Sequence, residues 1–212
     1  CDVRAAAVTL DDQARPEFDL VHGEQSARVR LRLHGEHYIA NALAAAAVGL
    51  ASGATVMQAA QALSAAEPAS KWRMEVREST RGVTVVNDAY NANPESTRAA
   101  LKTLSSMAHG RRTWAVLGEM RELGDASLEE HDAIGRLAVR LDVSRLVCVG
   151  AGTRVMHLAA SNEGSWGEES IHVPDVDAAI ALLLDQTRPG DVVLVKASRS
   201  VGLERVALAL LE

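Results

Sequence analysis

The sequence predicts an α/β protein: a mostly parallel sheet with helices on both faces, preceded by a smaller segment of strands and two helices. Three observations lead there. From Gly82 onward, short apolar runs at residues 83–86, 113–117, 146–149, 171–173 and 192–195 each precede a loop and a helical stretch. That alternation makes a parallel sheet. The first of these runs, Val83 to Val86, is short and rich in β-branched residues and reads as a buried strand. Residues 1–33 behave differently: Arg28-Val29-Arg30-Leu31-Arg32-Leu33 alternates strictly, which marks a strand with one wet face.

Taken in order, residues 3–10 read as a strand, and residues 18–21 and 28–33 flank Gly23-Glu24-Gln25-Ser26 as a hairpin. The alternation turns Val29, Leu31 and Leu33 to a core and the arginines to water, which explains those arginines better than a phosphate-binding patch does. After a turn at Gly35, an alanine-rich helix runs over 37–51 and ends at Ser52-Gly53. A second helix covers 55–65, capped by Thr55, with Val56, Ala59, Ala60 and Leu63 on one face. Residues 68–71 read as a linker, so domains are expected at 1–70 and 71–212. Residues 73–78 and 82–87 form a second hairpin. Asn93 then caps a helix whose first position is Pro94, where a missing N–H costs nothing. Later helices occupy 127–141, a stretch from Thr153, a stretch ending at Thr187, and the C-terminus.

Composition narrows the function. The 212 residues are 48% hydrophobic and 24% charged, ordinary for a globular chain. Aromatics make up 3% and the formal net charge is −6, which argues against a nucleic-acid partner. No apolar run reaches membrane-spanning length. Of the two cysteines, Cys1 is terminal and Cys148 sits in an apolar strand. That is no disulfide framework, and it fits a reducing, cytoplasmic setting. The chain begins without methionine and with no start-of-domain character, so it reads as a piece of a longer protein.

Right-handed crossovers place every loop after a parallel strand on one edge of the sheet, where ligands bind. Three loops there carry chemistry. Asn87-Asp88-Ala89-Tyr90-Asn91-Ala92-Asn93 crowds a carboxylate, a phenol and several amides into one turn. Capping and Asx turns account for Asn93 and part of Asn91, but not for Asp88 or Tyr90. Lys196-Ala197-Ser198-Arg199-Ser200 sets two cations and two hydroxyls between a strand and a helix, an anion-binding arrangement. Residues 118–124, Gly-Glu-Met-Arg-Glu-Leu-Gly, suit a bent loop or an ammonium site. By contrast, Gly150-Ala151-Gly152 lacks the third glycine and the acidic partner of a dinucleotide fingerprint and reads as a tight turn. His131, alone on a helix, reads as structural. No zinc spacing, nucleophile elbow or phosphate loop occurs in the 212 residues.

Taken together, these segments resemble the Mur ligases, the ATP-dependent ligases of peptidoglycan synthesis. The residues that carry the resemblance are Asn87 to Ser96 (NDAYNANPES), Leu117 to Gly124 (LGEMRELG), Lys196 to Ser200 with Leu203-Glu204, and Gly35 to Ala46 (GEHYIANALAAA). Tyr38 and Thr97 depart from an asparagine and a methionine common in the family. The resemblance implies that 1–70 is the last part of a central ATP-binding domain and 71–212 a Rossmann-like C-terminal domain. It implies ATP and Mg2+ as cofactors, with Asn41 facing the adenine and His37 near the ATP site. Arg73 and Asp88 would hold ATP, Asp88 at the ribose. Tyr90, Asn91 and Asn93 would shape the cleft, while Lys196 and Ser198 would face the incoming peptide or the acyl phosphate. The implied substrates are a UDP-N-acetylmuramoyl-tripeptide and D-alanyl-D-alanine.

The missing phosphate loop implies that this chain alone is inactive. The full-length enzyme is expected to be a monomer. Residues 1–70, lacking the strands they would normally pack on, are expected to be less stable and to promote self-association. Rival readings are another Mur ligase, a folylpolyglutamate synthase-like ligase, or a non-catalytic nucleotide-binding module. The Asp-Asn-Pro-Arg motif expected of the diamino-acid-adding ligase is absent: Asn93-Pro94 is followed by Glu95.

Overall fold

The computed structural model describes residues 2–68, 70–164 and 169–212. Cys1 and Ala69, the latter in the expected linker, lie outside the described residues. The chain divides into two compact units, Cys1–Ala69 and Ser70–Glu212.

The first unit opens with an antiparallel sheet of β1 (Val3–Leu10), β2 (Pro16–His22) and β3 (Gln25–Arg30). Helices α1 (Tyr38–Ala51) and α2 (Val56–Ala65) pack on it. Phe18, Leu20 and Val29 meet Ala42, Ala46, Val56 and Ala60 in its core. Arg28 and Arg30 stand on the wet face and pair with Glu17, and Arg28 also reaches Asp19. The hairpin is shorter than the alternation predicts. β3 stops at Arg30, Leu31 N–H turns to Pro16 O, and Gly35 takes a positive φ of 117°. Thr55 caps α2 through a reciprocal capping box with Gln58.

The second unit is a six-stranded sheet. Its strands are β4 (Glu75–Glu78), β5 (Thr84–Asn87), β6 (Thr113–Leu117), β7 (Arg145–Val149), β8 (Ser170–Val173) and β9 (Val192–Lys196). Between and after them run α3 (Pro94–Ala108), α4 (Ser127–Arg140), α5 (Arg154–Glu163), α6 (Val176–Gln186) and α7 (Glu204–Leu211). The spatial order is β4-β5-β9-β6-β7-β8, all parallel except β4, which pairs antiparallel with β5. Connections from β5 through β8 step one way across the sheet, and the β8-to-β9 connection steps back. Right-handed crossovers therefore put α3, α4 and α5 on one face and α6 with α7 on the other, matching the pairs α3/α4, α4/α5 and α6/α7 that pack.

Trp114, Val116, Val193 and Val195 bury one face of the sheet against Leu183, Val206 and Leu210. On the other side α4 and α5 approach so closely that a Cβ on Gly135 would stand 2.1 Å from Met156 O. At the amino edge, Arg112 forks onto Asp191 (Nε–Oδ1 3.0 Å, Nη2–Oδ2 2.6 Å) while Trp114 Nε1–H and Arg188 N–H also donate to that carboxylate. Burial pushes the Asp191 carboxyl upward, but these bonds outweigh it and hold the group below its ordinary value. Among the described residues no helix is long and apolar enough to cross a membrane.

Candidate functional site

The site lies at the carboxyl edge of the parallel strands. β9 inserts between β5 and β6, with Asn87 opposite Val195 and Leu117 opposite Lys196. The last residue of the central strand is thereby flanked by the Asp88 loop on one side and the Gly118 loop on the other. No single stretch of sequence contains this juxtaposition; the strand order creates it.

Lys196 is 2% exposed, and its Nζ donates to Asp88 Oδ2 at 2.6 Å and to Asn91 O at 2.9 Å. The other carboxylate oxygen, Oδ1, accepts Met74 N–H at 3.1 Å. Asp88 N–H in turn donates to Val195 O. One buried ion pair thus ties β9, the β5–α3 loop and the segment before β4 into a single knot. Lys196 does not face outward as the anion-binding reading of residues 196–200 expects. Its charge is answered by Asp88 inside the fold, since a buried ammonium without a partner would be prohibitively costly.

Ser198 is also drawn inward. Its Oγ accepts Arg121 N–H at 2.8 Å and lies 3.4 Å from Ala92 O, while its own N–H donates to Glu119 O. Helix α7 does not start directly after it, because a 3-10 turn over Arg199–Val201 intervenes. The Gly118 loop is pinned from both ends. Gly118 N–H donates to Lys196 O, and a Cβ there would fall 2.6 Å from the Ala197 Cβ. Buried His131 accepts Met120 N–H at Nε2 (3.0 Å) and bonds Ser127 O through Nδ1 (2.7 Å), a structural role. Glu119 reaches over Gly152, where any Cβ would meet its carboxylate at 2.7 to 2.8 Å. The glycines at 150 and 152 are therefore a turn, Gly150 at φ 88°, and a space for Glu119.

The remaining expected residues fall into place by their local chemistry. Asn93 caps α3, its Oδ1 accepting Ser96 N–H at 2.8 Å. Asn91 spends its Oδ1 on Ala92 N–H and offers its carbonyl to Lys196. Tyr90 is 42% exposed, and the Arg73 guanidinium lies 4.2 Å from its ring centroid. His37 and Asn41 belong to the first unit, both exposed at the start of α1, with the His37 and Tyr38 rings 4.4 Å apart.

Sequence reading singles out Arg199 only as one cation of the 196–200 loop and gives Trp72 no role. Trp72 and Arg199 are 127 positions apart in the numbering, yet the Arg199 guanidinium lies 4.2 Å over the Trp72 ring and 5.8 Å from that of Tyr90. The segment that brings Trp72 there is strained, with Trp72 at φ 60° and Met74 at φ 47°. Met74 N–H on Asp88 and Tyr90 N–H on Trp72 O hold it in place. No sequence pattern signals left-handed backbone at a tryptophan and a methionine.

The chain is similar to known proteins of one family. Residues 72–199 match the family model described as Mur ligase, glutamate ligase domain. The UDP-N-acetylmuramoyl-tripeptide--D-alanyl-D-alanine ligase of Mycobacterium leprae is 52% identical over 97% of this chain and 43% of that protein. Its namesake in Mycobacterium tuberculosis H37Rv is 54% identical over 99% of this chain and 44% of that protein. Among solved structures, a MurF from Acinetobacter baumannii superposes with a TM-score of 0.87 at 29% identity, over 99% of this chain and 45% of that one. A MurF from Thermotoga maritima, solved in complex with ADP, gives 0.80 at 24% identity, over 99% and 46%. The chain spans less than half the length of the curated relatives it matches.

Proposed function

The chain belongs to the Mur ligase family, and from that premise we propose that it is the C-terminal part of an ATP-dependent ligase acting in the cytoplasm on peptidoglycan precursors. The reaction joins D-alanyl-D-alanine to a UDP-N-acetylmuramoyl-tripeptide. The observation that carries this reading is identity above one half, across nearly the whole chain, to ligases of that name.

In this reading ATP transfers its γ-phosphoryl group to the terminal carboxylate of the tripeptide, releasing ADP. The amine of the dipeptide attacks the resulting acyl phosphate. The tetrahedral intermediate expels phosphate and loses the amine proton, leaving an amide. The residues of this chain bind and orient rather than exchange protons. We assign Asp88 to the nucleotide ribose; in support, one oxygen is fixed by a backbone N–H and the other by Lys196, so the carboxylate is preorganised. Arg73 and Tyr90 border the nucleotide, and Asn91 and Asn93 shape the loop. The adenine roles of His37 and Asn41, which lie in the first unit, rest on the family resemblance alone. Ser198 and Lys196 support the edge that meets the dipeptide.

Among the described residues, no group of three or more His, Cys, Asp or Glu side chains comes together to hold a metal ion. Nor do the 212 residues contain a phosphate loop. Calorimetric titration with ATP tests the reading: weak binding is expected, abolished by Asp88→Ala. Binding indifferent to that substitution would refute the role given to Asp88. Ligation assays on the chain alone are expected to show no product.

A further inference from the structure

The second unit carries a cluster of which the roles above use only Arg73 and Tyr90, leaving Arg199 and Trp72 without one. Arg73 and Arg199 share one small surface with Trp72 and Tyr90, each guanidinium lying over a ring at 4.2 Å. Neither arginine has an ion-pair partner among the described residues. The carboxylates bonded to this segment are engaged elsewhere: Asp88 holds Lys196, and Glu75 pairs with Arg77 and accepts Trp72 N–H. A chain of net charge −6 thus keeps two unanswered cations side by side. Their setting is preorganised. A stacked guanidinium gives its face to the ring and leaves its N–H edges free to fork onto an oxyanion. Trp72 is held at φ 60° by the bonds that clamp residues 72–74 to the Asp88 loop, so the platform does not depend on a ligand to form.

We propose that Arg199, stacked on Trp72 beside the Arg73–Tyr90 pair, is an anion-binding residue of this site, and that the two guanidinium groups together receive the phosphate chain of a nucleotide. The proposal rests on the nucleotide reading above and adds to it the residue and the platform that supply the charge. It also relocates the anion-binding character of the Lys196–Ser200 loop: the strand-end lysine is spent on Asp88, and the exposed arginine three residues later carries the free charge.

The test is a set of NMR titrations of the 212-residue chain with ATP, inorganic tripolyphosphate and adenosine, each used separately. Arg199 is exposed, so Arg199→Ala is expected to fold normally. Loss of a charge-assisted contact should weaken ATP and tripolyphosphate about tenfold or more and leave adenosine binding unchanged. Arg199→Lys should recover only part of the loss, because an ammonium keeps the charge but not the fork or the stack. Trp72→Phe should retain binding, whereas Trp72→Ala should weaken both phosphate ligands. If Arg199→Ala binds ATP and tripolyphosphate as tightly as the unaltered chain, the proposal is overturned and the nucleotide reading stands. If it weakens adenosine equally, the effect is structural and the proposal is again overturned. If the unaltered chain binds none of the three ligands, the nucleotide reading itself fails, and the proposal with it.

Discussion

Lys196→Met should be among the most damaging single changes in the second unit. Methionine has a similar length and fits the apolar stem, so the loss is that of the ammonium. Removing it leaves Asp88 Oδ2 and the Asn91 carbonyl without their partner in a pocket where the side chains of the pair are 2% and 12% exposed. Breaking a buried pair on one side costs about 3–5 kcal/mol, a large share of the roughly 5–15 kcal/mol that holds a typical domain folded. With a urea slope of about 1–3 kcal/mol per molar, the midpoint should fall by roughly 2 M. The assay can isolate the right unit, because all three tryptophans lie beyond residue 70 and the fluorescence of Trp72 and Trp114 reports that unit's unfolding. Replacing both partners, as Asp88→Asn with Lys196→Met, removes the stranded charge and should return a good part of the loss. A cost below about 1 kcal/mol for Lys196→Met, the range of exposed pairs, would refute the argument that this pair is buried and integral.

Three further outcomes follow from the same structure. Gly135→Ala should lower the thermal midpoint measured by circular dichroism, since the new methyl collides with the Met156 carbonyl and α4 and α5 must separate; overpacking of this kind costs about 1–3 kcal/mol. Asp191 has a folded-state carboxyl below its ordinary value, so its contribution is present above about pH 4 and is lost as the pH falls through the lower folded-state value. Urea midpoints from pH 6 to pH 3 should therefore fall more steeply in the unaltered chain than in Asp191→Asn, and parallel profiles would contradict the assignment. Finally, burial pushes the Cys148 thiol well above its ordinary value. In a Cys1→Ser background, a thiol reagent at pH 8 should label Cys148 at the rate of unfolding; rapid labelling of the folded chain would show that the strand is open.

Much of this molecule was legible in one dimension. The helix of Asn93 and Pro94, the cap at Thr55 and the strand runs at 113–117 and 192–195 follow from short-range chemistry: caps, fixed φ and largely apolar runs. So does the parallel sheet, because alternation and crossover handedness leave few alternatives. The four family motifs were readable for a different reason, since they are contiguous. What the sequence could not express is strand order. Only the insertion of β9 between β5 and β6 brings Lys196 onto Asp88, 108 positions away, and converts an apparently free cation into an internal strut. Likewise, Arg199 meets Trp72 only because Trp72 and Met74 take left-handed conformations that their side chains do not favour and that bonds to Asp88 and Tyr90 hold. Local propensity settles which elements form. Which charges remain free at their ends is decided by long-range packing, because the cost of burying an ion depends on what lies beside it in space.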